Sequence, residues 1–90
     1  MEKRVRILQD FGYSEHEYNG ETIAKRGLLL DDGVDCFYAE MPSNLARREK
    51  DTSYDLNLEH TVQGAWSAQK RQAQDGRDYY INNFYINKLK

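Results

Sequence analysis

Cysteine, proline and long apolar runs are all scarce in this chain. Cys36 is the only cysteine, so no internal disulfide forms, and a reducing, cytoplasmic setting is expected. Pro42 is the only proline. It divides the chain into two halves without a Gly/Ser linker, internal repeat or low-complexity tract between them. The longest wholly aliphatic run, Leu28-Leu29-Leu30, is far short of a membrane span. The first residues, Met1-Glu2-Lys3-Arg4-Val5-Arg6, have no apolar core of the kind that a signal peptide carries. No Asn-X-Ser/Thr acceptor occurs.

The 90 residues are read as one domain, 1-90, with 39% hydrophobic and 31% charged content. A chain of this size buries roughly 65% of the surface that its unfolded form exposes. That suffices for one small core. Net charge is −2, whereas a duplex-DNA binder is usually basic overall.

The charge is segregated. Between Glu15 and Glu40, seven carboxylates (Glu15, Glu17, Glu21, Asp31, Asp32, Asp35, Glu40) face two cations, Lys25 and Arg26. Between Trp66 and Lys90, five cations (Lys70, Arg71, Arg77, Lys88, Lys90) face Asp75 and Asp78, and Tyr79, Tyr80, Phe84 and Tyr85 lie among them. Two surfaces of opposite sign are a binding property.

The first half reads as a β-meander. Asn19-Gly20 and Asp32-Gly33 are hairpin signals, since these residues tolerate the positive φ of a tight turn. Two-residue turns at both sites would set Phe11 and Phe37 opposite Leu28, and Lys25 opposite Glu40. Ser43 to Asp51 reads as a short helix with Ser43 as N-cap, or as an exposed loop. Tyr54 to Val62 alternates apolar and polar, the period of a half-buried strand, with His60 on its apolar face. Gly64 to Gln74 favours helix by its Ala, Gln, Lys and Arg content. The alternative there is a strand ending in a third turn at Asp75-Gly76. Aromatic and β-branched residues between Tyr79 and Ile86 favour strand, with a tight turn at Asn82-Asn83 as the alternative. The sum is an α+β fold, a small antiparallel β-sheet covered by one short helix.

No constellation fixes a reaction, so an enzyme is not expected. His16, Cys36 and His60 are far apart and lack zinc-ligand spacing. Cys36 follows Asp35 on a strand and reads as a small core residue rather than a nucleophile. Asp31-Asp32-Gly33 is explained by turn chemistry, and the position that would close a calcium loop is Pro42. Neither cofactor nor metal is implied.

The leading expectation is a cytoplasmic protein-binding inhibitor or modulator that occupies the surface of a larger protein or complex. In size and style it is analogous to proteins that phages and mobile elements use to block host systems. Its acidic surface (Glu15, Glu17, Glu21, Asp31, Asp32, Asp35) would meet a basic groove, even one that normally holds nucleic acid. The alternative is a single-strand nucleic-acid-binding or DNA-associated accessory protein. It would use Lys70, Arg71, Arg77 and Lys88 for phosphates and Tyr79, Tyr80 and Tyr85 for stacking. No membrane role is expected, and an exposed Tyr/Ile edge suggests a homodimer.

Overall fold

The computed structural model describes Met1–Lys90. In chain order the elements are β1 (Glu2–Tyr18), β2 (Glu21–Asp31), β3 (Cys36–Met41), α1 (Ser43–Arg48), β4 (Glu59–Gln72) and β5 (Asp78–Leu89). Strands hold 67% of the residues and close into a five-stranded barrel in the order β1-β2-β3-β5-β4. The expected α+β sheet with a covering helix is therefore corrected to a closed barrel. Its one short helix, α1, packs Leu45 and Ala46 against the core, so a small helix cover is present, but the sheet it meets is closed.

Closure depends on β1, whose seventeen residues serve two neighbours. Its first part pairs antiparallel with β4, from Glu2↔Gln63 to Arg6↔Glu59, and from Arg6 onward it pairs with β2. Two irregularities, between Ile7 and Gln9 and between Asp10 and Tyr13, bend the strand between these partners. Bulges increase local twist and bending, which a small barrel needs. Gly12 takes φ +84° in the second one, a conformation that side chains oppose. Its N–H donates to Asp10 Oδ1 at 2.9 Å. The barrel closes through a short parallel pairing of β3 with β5, Ala39↔Phe84 and Glu40↔Tyr85.

Inward positions alternate along each strand. Val5, Ile7, Ala24, Leu28, Leu30, Ala39, Met41, Val62, Phe84 and Ile86 meet in one core, and Leu45 and Ala46 of α1 are buried in the same cluster. Each large side chain buried this way contributes about 1.5–3 kcal/mol. Arg26 is the one buried cation. Its Nε donates to Asp10 Oδ1 at 3.1 Å, its Nη2 to Asp10 Oδ2, and its Nη1 to the Glu49 carbonyl at 2.7 Å. The Tyr54 ring lies 4.7 Å from the guanidinium.

Several local expectations are corrected. The Asn19-Gly20 turn forms, with Tyr18 opposite Glu21 and positive φ at both turn residues. The β2–β3 connection is longer than two residues, because Asp31 pairs with Cys36. Asp32 Oδ1 accepts the N–H groups of Val34 and Asp35 (both 2.9 Å), which holds a four-residue loop. The register therefore slips by two: Leu28 faces Ala39, Phe37 faces Leu30, and Glu40 faces Gly27 instead of Lys25. The bulges put Asp10, not Phe11, opposite Leu28.

Pro42 occupies the cap position of α1, and the Ser43 hydroxyl instead accepts the Ala24 N–H at 3.1 Å. Tyr54 to Leu58 is loop and turn, with Leu56 and Leu58 exposed, so the strand begins only at Glu59. Gly64 to Gln72 is strand and not helix, and the Asp75-Gly76 segment makes the third hairpin turn. No turn forms at Asn82-Asn83, since β5 is continuous.

Two hairpins outrun the barrel. One is the outer part of β1–β2 around Asn19-Gly20. The other is the outer part of β4–β5, from Ser67 to Asn83, which has no buried residue.

Candidate nucleic-acid interface

Strand alternation and the two β1 bulges decide which side chains reach the outer face of β1, β2 and β3. Leu28 and Leu30 point inward, so Lys25, Gly27 and Leu29 point outward. Ala39 and Met41 point inward, so Cys36, Tyr38 and Glu40 point outward. Past its first bulge β1 presents Gln9 opposite Leu29, which in turn faces Tyr38. Past Asp10, whose carboxylate turns inward to Arg26, Phe11 is left outside.

This produces an aromatic platform. Phe11 is 53% exposed and Tyr38 is 40% exposed. Their ring centroids are 5.9 Å apart with the planes tilted at 52°. The Tyr38 ring lies across Gly27, where a β-carbon would stand 2.7 Å from Tyr38 Cε2. Glycine thus permits the ring to lie flat on the strand. The Tyr38 hydroxyl donates to Glu40 Oε2 at 3.3 Å. Burial of part of the ring, and then the Glu40 charge, push the phenol pKa up, so Tyr38 is neutral near pH 7. Lys25 and, at the other end of the face opposite Asp31, Arg6 are exposed cations of this face.

The β4–β5 arm adds a second cluster. Its register sets Lys70 opposite Tyr80 and Arg71 opposite Tyr79. Each pair occupies its own face of the hairpin, because successive residues alternate. Trp66, on the Lys70 face, stands at the arm's root. Its ring packs against Phe84 at 5.2 Å and Phe37 at 5.3 Å between centroids. Arg77 lies at the tip and pairs with Asp75 (3.1 Å), while Lys70 pairs with Asp78 (3.3 Å). These exposed pairs hold their cations weakly.

The residues singled out from the sequence are distributed as follows. Lys70, Arg71, Arg77, Tyr79 and Tyr80 share the arm. Tyr85 is half-buried opposite Ala65 on the barrel wall. Lys88 lies farther along β5, lining a recess of about 210 Å³ with Glu2, Thr61, Gln63 and Lys90. The acidic residues do not form one surface. Glu15, Glu17 and Glu21 lie on the β1–β2 arm, and Asp31, Asp32 and Asp35 at the β2–β3 loop. Glu21 and Asp31 bound opposite ends of β2, about 33 Å apart at an extended strand's rise.

Asp32 is engaged inside its loop and with Lys3 Nζ at 3.0 Å. The N–H groups of Asp35 and Val34, and then Lys3, bring its pKa down to about 2. No group of three or more His, Cys, Asp or Glu side chains is arranged to hold a metal ion. No helix is long and apolar enough to cross a membrane.

Phe11, Gly27 and Tyr38 were not visible as a site in the sequence. From the sequence Phe11 is a cross-strand neighbour of Leu28, and only the bulge after Asp10 turns it outward. Asp10 followed by Phe11-Gly12 is a faint signal of such a bulge, since Gly inside a strand pattern often marks one.

The strand order β1-β2-β3-β5-β4, the helix between β3 and β4, and the parallel β3–β5 closure are features of arrangement that oligonucleotide/oligosaccharide-binding barrels also have. In that architecture the β2–β3 face and the β1–β2 and β4–β5 loops receive ligand. No protein-family model matches the chain, and no curated protein matches it.

Proposed function

We propose that this protein binds single-stranded nucleic acid across the outer face of β2 and β3, with the β4–β5 arm as a second contact. The observation that carries this reading is the exposed Phe11–Tyr38 platform on the β2–β3 face of a barrel with this topology. Fold alone does not assign function, so the weight rests on the side chains. Unpaired bases stack on Phe11 and Tyr38, and Lys25 meets the backbone beside them. Lys70, Arg71 and Arg77 extend the basic track, with Tyr79 and Tyr80 as further stacking surfaces. Stacking on such residues is tolerant of sequence. The net charge of −2 disfavours a broad duplex-binding surface and is compatible with a narrow track.

The test is fluorescence anisotropy with labelled single-stranded DNA, RNA and duplex DNA. Single strands should bind in preference to duplex. Tyr38→Ala should weaken binding by about 5- to 150-fold, the range of one lost stacking contact. With three or four phosphates neutralised, log affinity should fall with log salt at a slope of about −2 to −3. Absence of binding at low salt, or a Tyr38→Ala protein that is folded and binds unchanged, would overturn the proposal.

One observation favours a protein-binding modulator as a second reading. Glu15 and Glu17 share one face of the β1–β2 arm, and the exposed Tyr18 tops it. An acidic tip bearing an aromatic anchor suits a basic groove on a larger protein. Charge reversal at Glu15 and Glu17 should then abolish partner binding and leave oligonucleotide binding intact.

A further inference from the structure

Several strand edges lie outside the barrel's own pairing, and they are unequally protected. The edge of β2 from Glu21 to Lys25 has a charge at each end, and its Ala24 N–H and Thr22 carbonyl are taken up by Ser43 and Arg47. The edge of β1 beyond Arg6, away from β2, is broken by two irregularities and carries Asp10, Glu15 and Glu17. The edge of β4 beyond Gln63, away from β5, carries adjacent cations Lys70 and Arg71. Bulges and charges are devices that keep a strand edge from pairing with another chain. The edge of β5 is different. It meets β3 only at Phe84 and Tyr85, so Tyr79 to Asn83 are hydrogen-bonded to β4 alone. This segment, Tyr79-Tyr80-Ile81-Asn82-Asn83, has no charge, proline, glycine or bulge.

We propose that this edge pairs with the same edge of a second copy of the chain. The two β4–β5 arms then form one four-stranded antiparallel sheet in the order β4-β5-β5-β4 across a two-fold axis at Ile81.

The choice of a second copy rests on the sequence of the edge. Antiparallel self-pairing about Ile81 sets Tyr79 against Asn83, Tyr80 against Asn82, and Ile81 against itself. No charged residue faces another. The five residues end where β3 takes over the edge at Phe84, and five is an ordinary strand length. Asp78, immediately outside the segment, and Lys70 and Arg71, on the far strand, do not meet their own symmetry mates across the axis. An isologous contact of this kind closes on itself and leaves a dimer. Pairing uses the backbone edge, so both faces of each arm stay open. The inference stands apart from the nucleic-acid reading.

Sedimentation equilibrium of the full chain over a wide concentration range tests it. The expected result is a reversible monomer–dimer equilibrium, with the larger species at twice 10.6 kDa. Ile81→Lys places like charges opposite each other at the axis and should weaken dimerisation by about tenfold or more. Ile81→Glu alone should do the same. An equimolar mixture of the two variants should restore the dimer, which a folding defect could not do. Circular dichroism checks that each variant keeps its strands. A wild-type chain that stays monomeric at the highest soluble concentration would overturn the proposal. So would a dimer indifferent to both substitutions, or the absence of rescue in the mixture.

Discussion

The atoms nearest to a β-carbon added at Gly27 all belong to the Tyr38 side chain, whereas one added at Gly64 meets the Tyr85 carbonyl oxygen and stands 2.7 Å from Phe84 Cε1. The first obstacle can swing toward water. The second is backbone and core. Gly64→Ala should therefore cost about 2–3 kcal/mol through overpacking, read as a lower urea midpoint. Gly27→Ala should cost less than about 1 kcal/mol yet lower single-strand affinity about tenfold by lifting Tyr38 off the strand. Equal losses of stability at the two sites would contradict this division.

The Asp10–Arg26 pair sits at the same scale. Arg26 is 5% exposed, so Asp10→Ala leaves a buried guanidinium without its carboxylate. A loss of about 3–5 kcal/mol is expected. Burial pushes the Asp10 pKa up, but hydrogen bonds from Arg26 and the Gly12 N–H outweigh it, so the group lies below its usual value. Asp32 lies lower, at about 2. Depressed carboxylates stabilise the fold above the ordinary pKa of about 4 and lose that contribution as pH falls through their folded values. Urea midpoints should hold from pH 7 to about 5 and drop between pH 4 and 2. Asp32→Asn should flatten part of that limb.

At the scale of elements, the β4–β5 arm from Ser67 to Asn83 contains no buried residue. Replacing it by an Asn-Gly turn between Trp66 and Phe84 should leave the barrel folded, with little change in melting temperature. The same deletion should remove the contacts of Lys70, Arg71, Arg77, Tyr79 and Tyr80 and weaken oligonucleotide binding. A barrel that fails to fold without the arm would show that the arm has a structural role.

The elements also show how far local chemistry could be read. Asn19-Gly20 was legible because its positive φ is a property of two residues. Asp32-Gly33 marked a turn but not its length, since the Asp32 carboxylate recruits Val34 and Asp35 and shifts the register by two. Residues 64–72 have helix-forming composition. Their strand state comes from eleven cross-strand partners from Val62 to Gln72, and tertiary pairing overrides propensity. The basic arm was legible as composition, whereas the Phe11–Tyr38 platform depended on bulges that composition does not reveal.

At the scale of the whole molecule, the barrel is made of contacts distant in sequence. Glu2 pairs with Gln63, and Ala39 with Phe84. Domains dominated by such pairings fold slowly, in about milliseconds to seconds. Stopped-flow circular dichroism should find refolding in that range, and microsecond refolding would contradict it. The two hairpins at the edges of the barrel add local contacts but cannot close it.

Trp66 is the only tryptophan and stands where barrel gives way to arm. One side of its indole rests on Phe37 and Phe84, and 44% of the residue remains in contact with solvent. An indole at such a boundary distinguishes two events in unlabelled protein. Unfolding in urea strips away both rings and should move its emission maximum to longer wavelength. A base settling on its open side should quench the intensity and leave the wavelength in place. Ligand occupancy and loss of the barrel would then be followed in one sample, by colour and brightness separately.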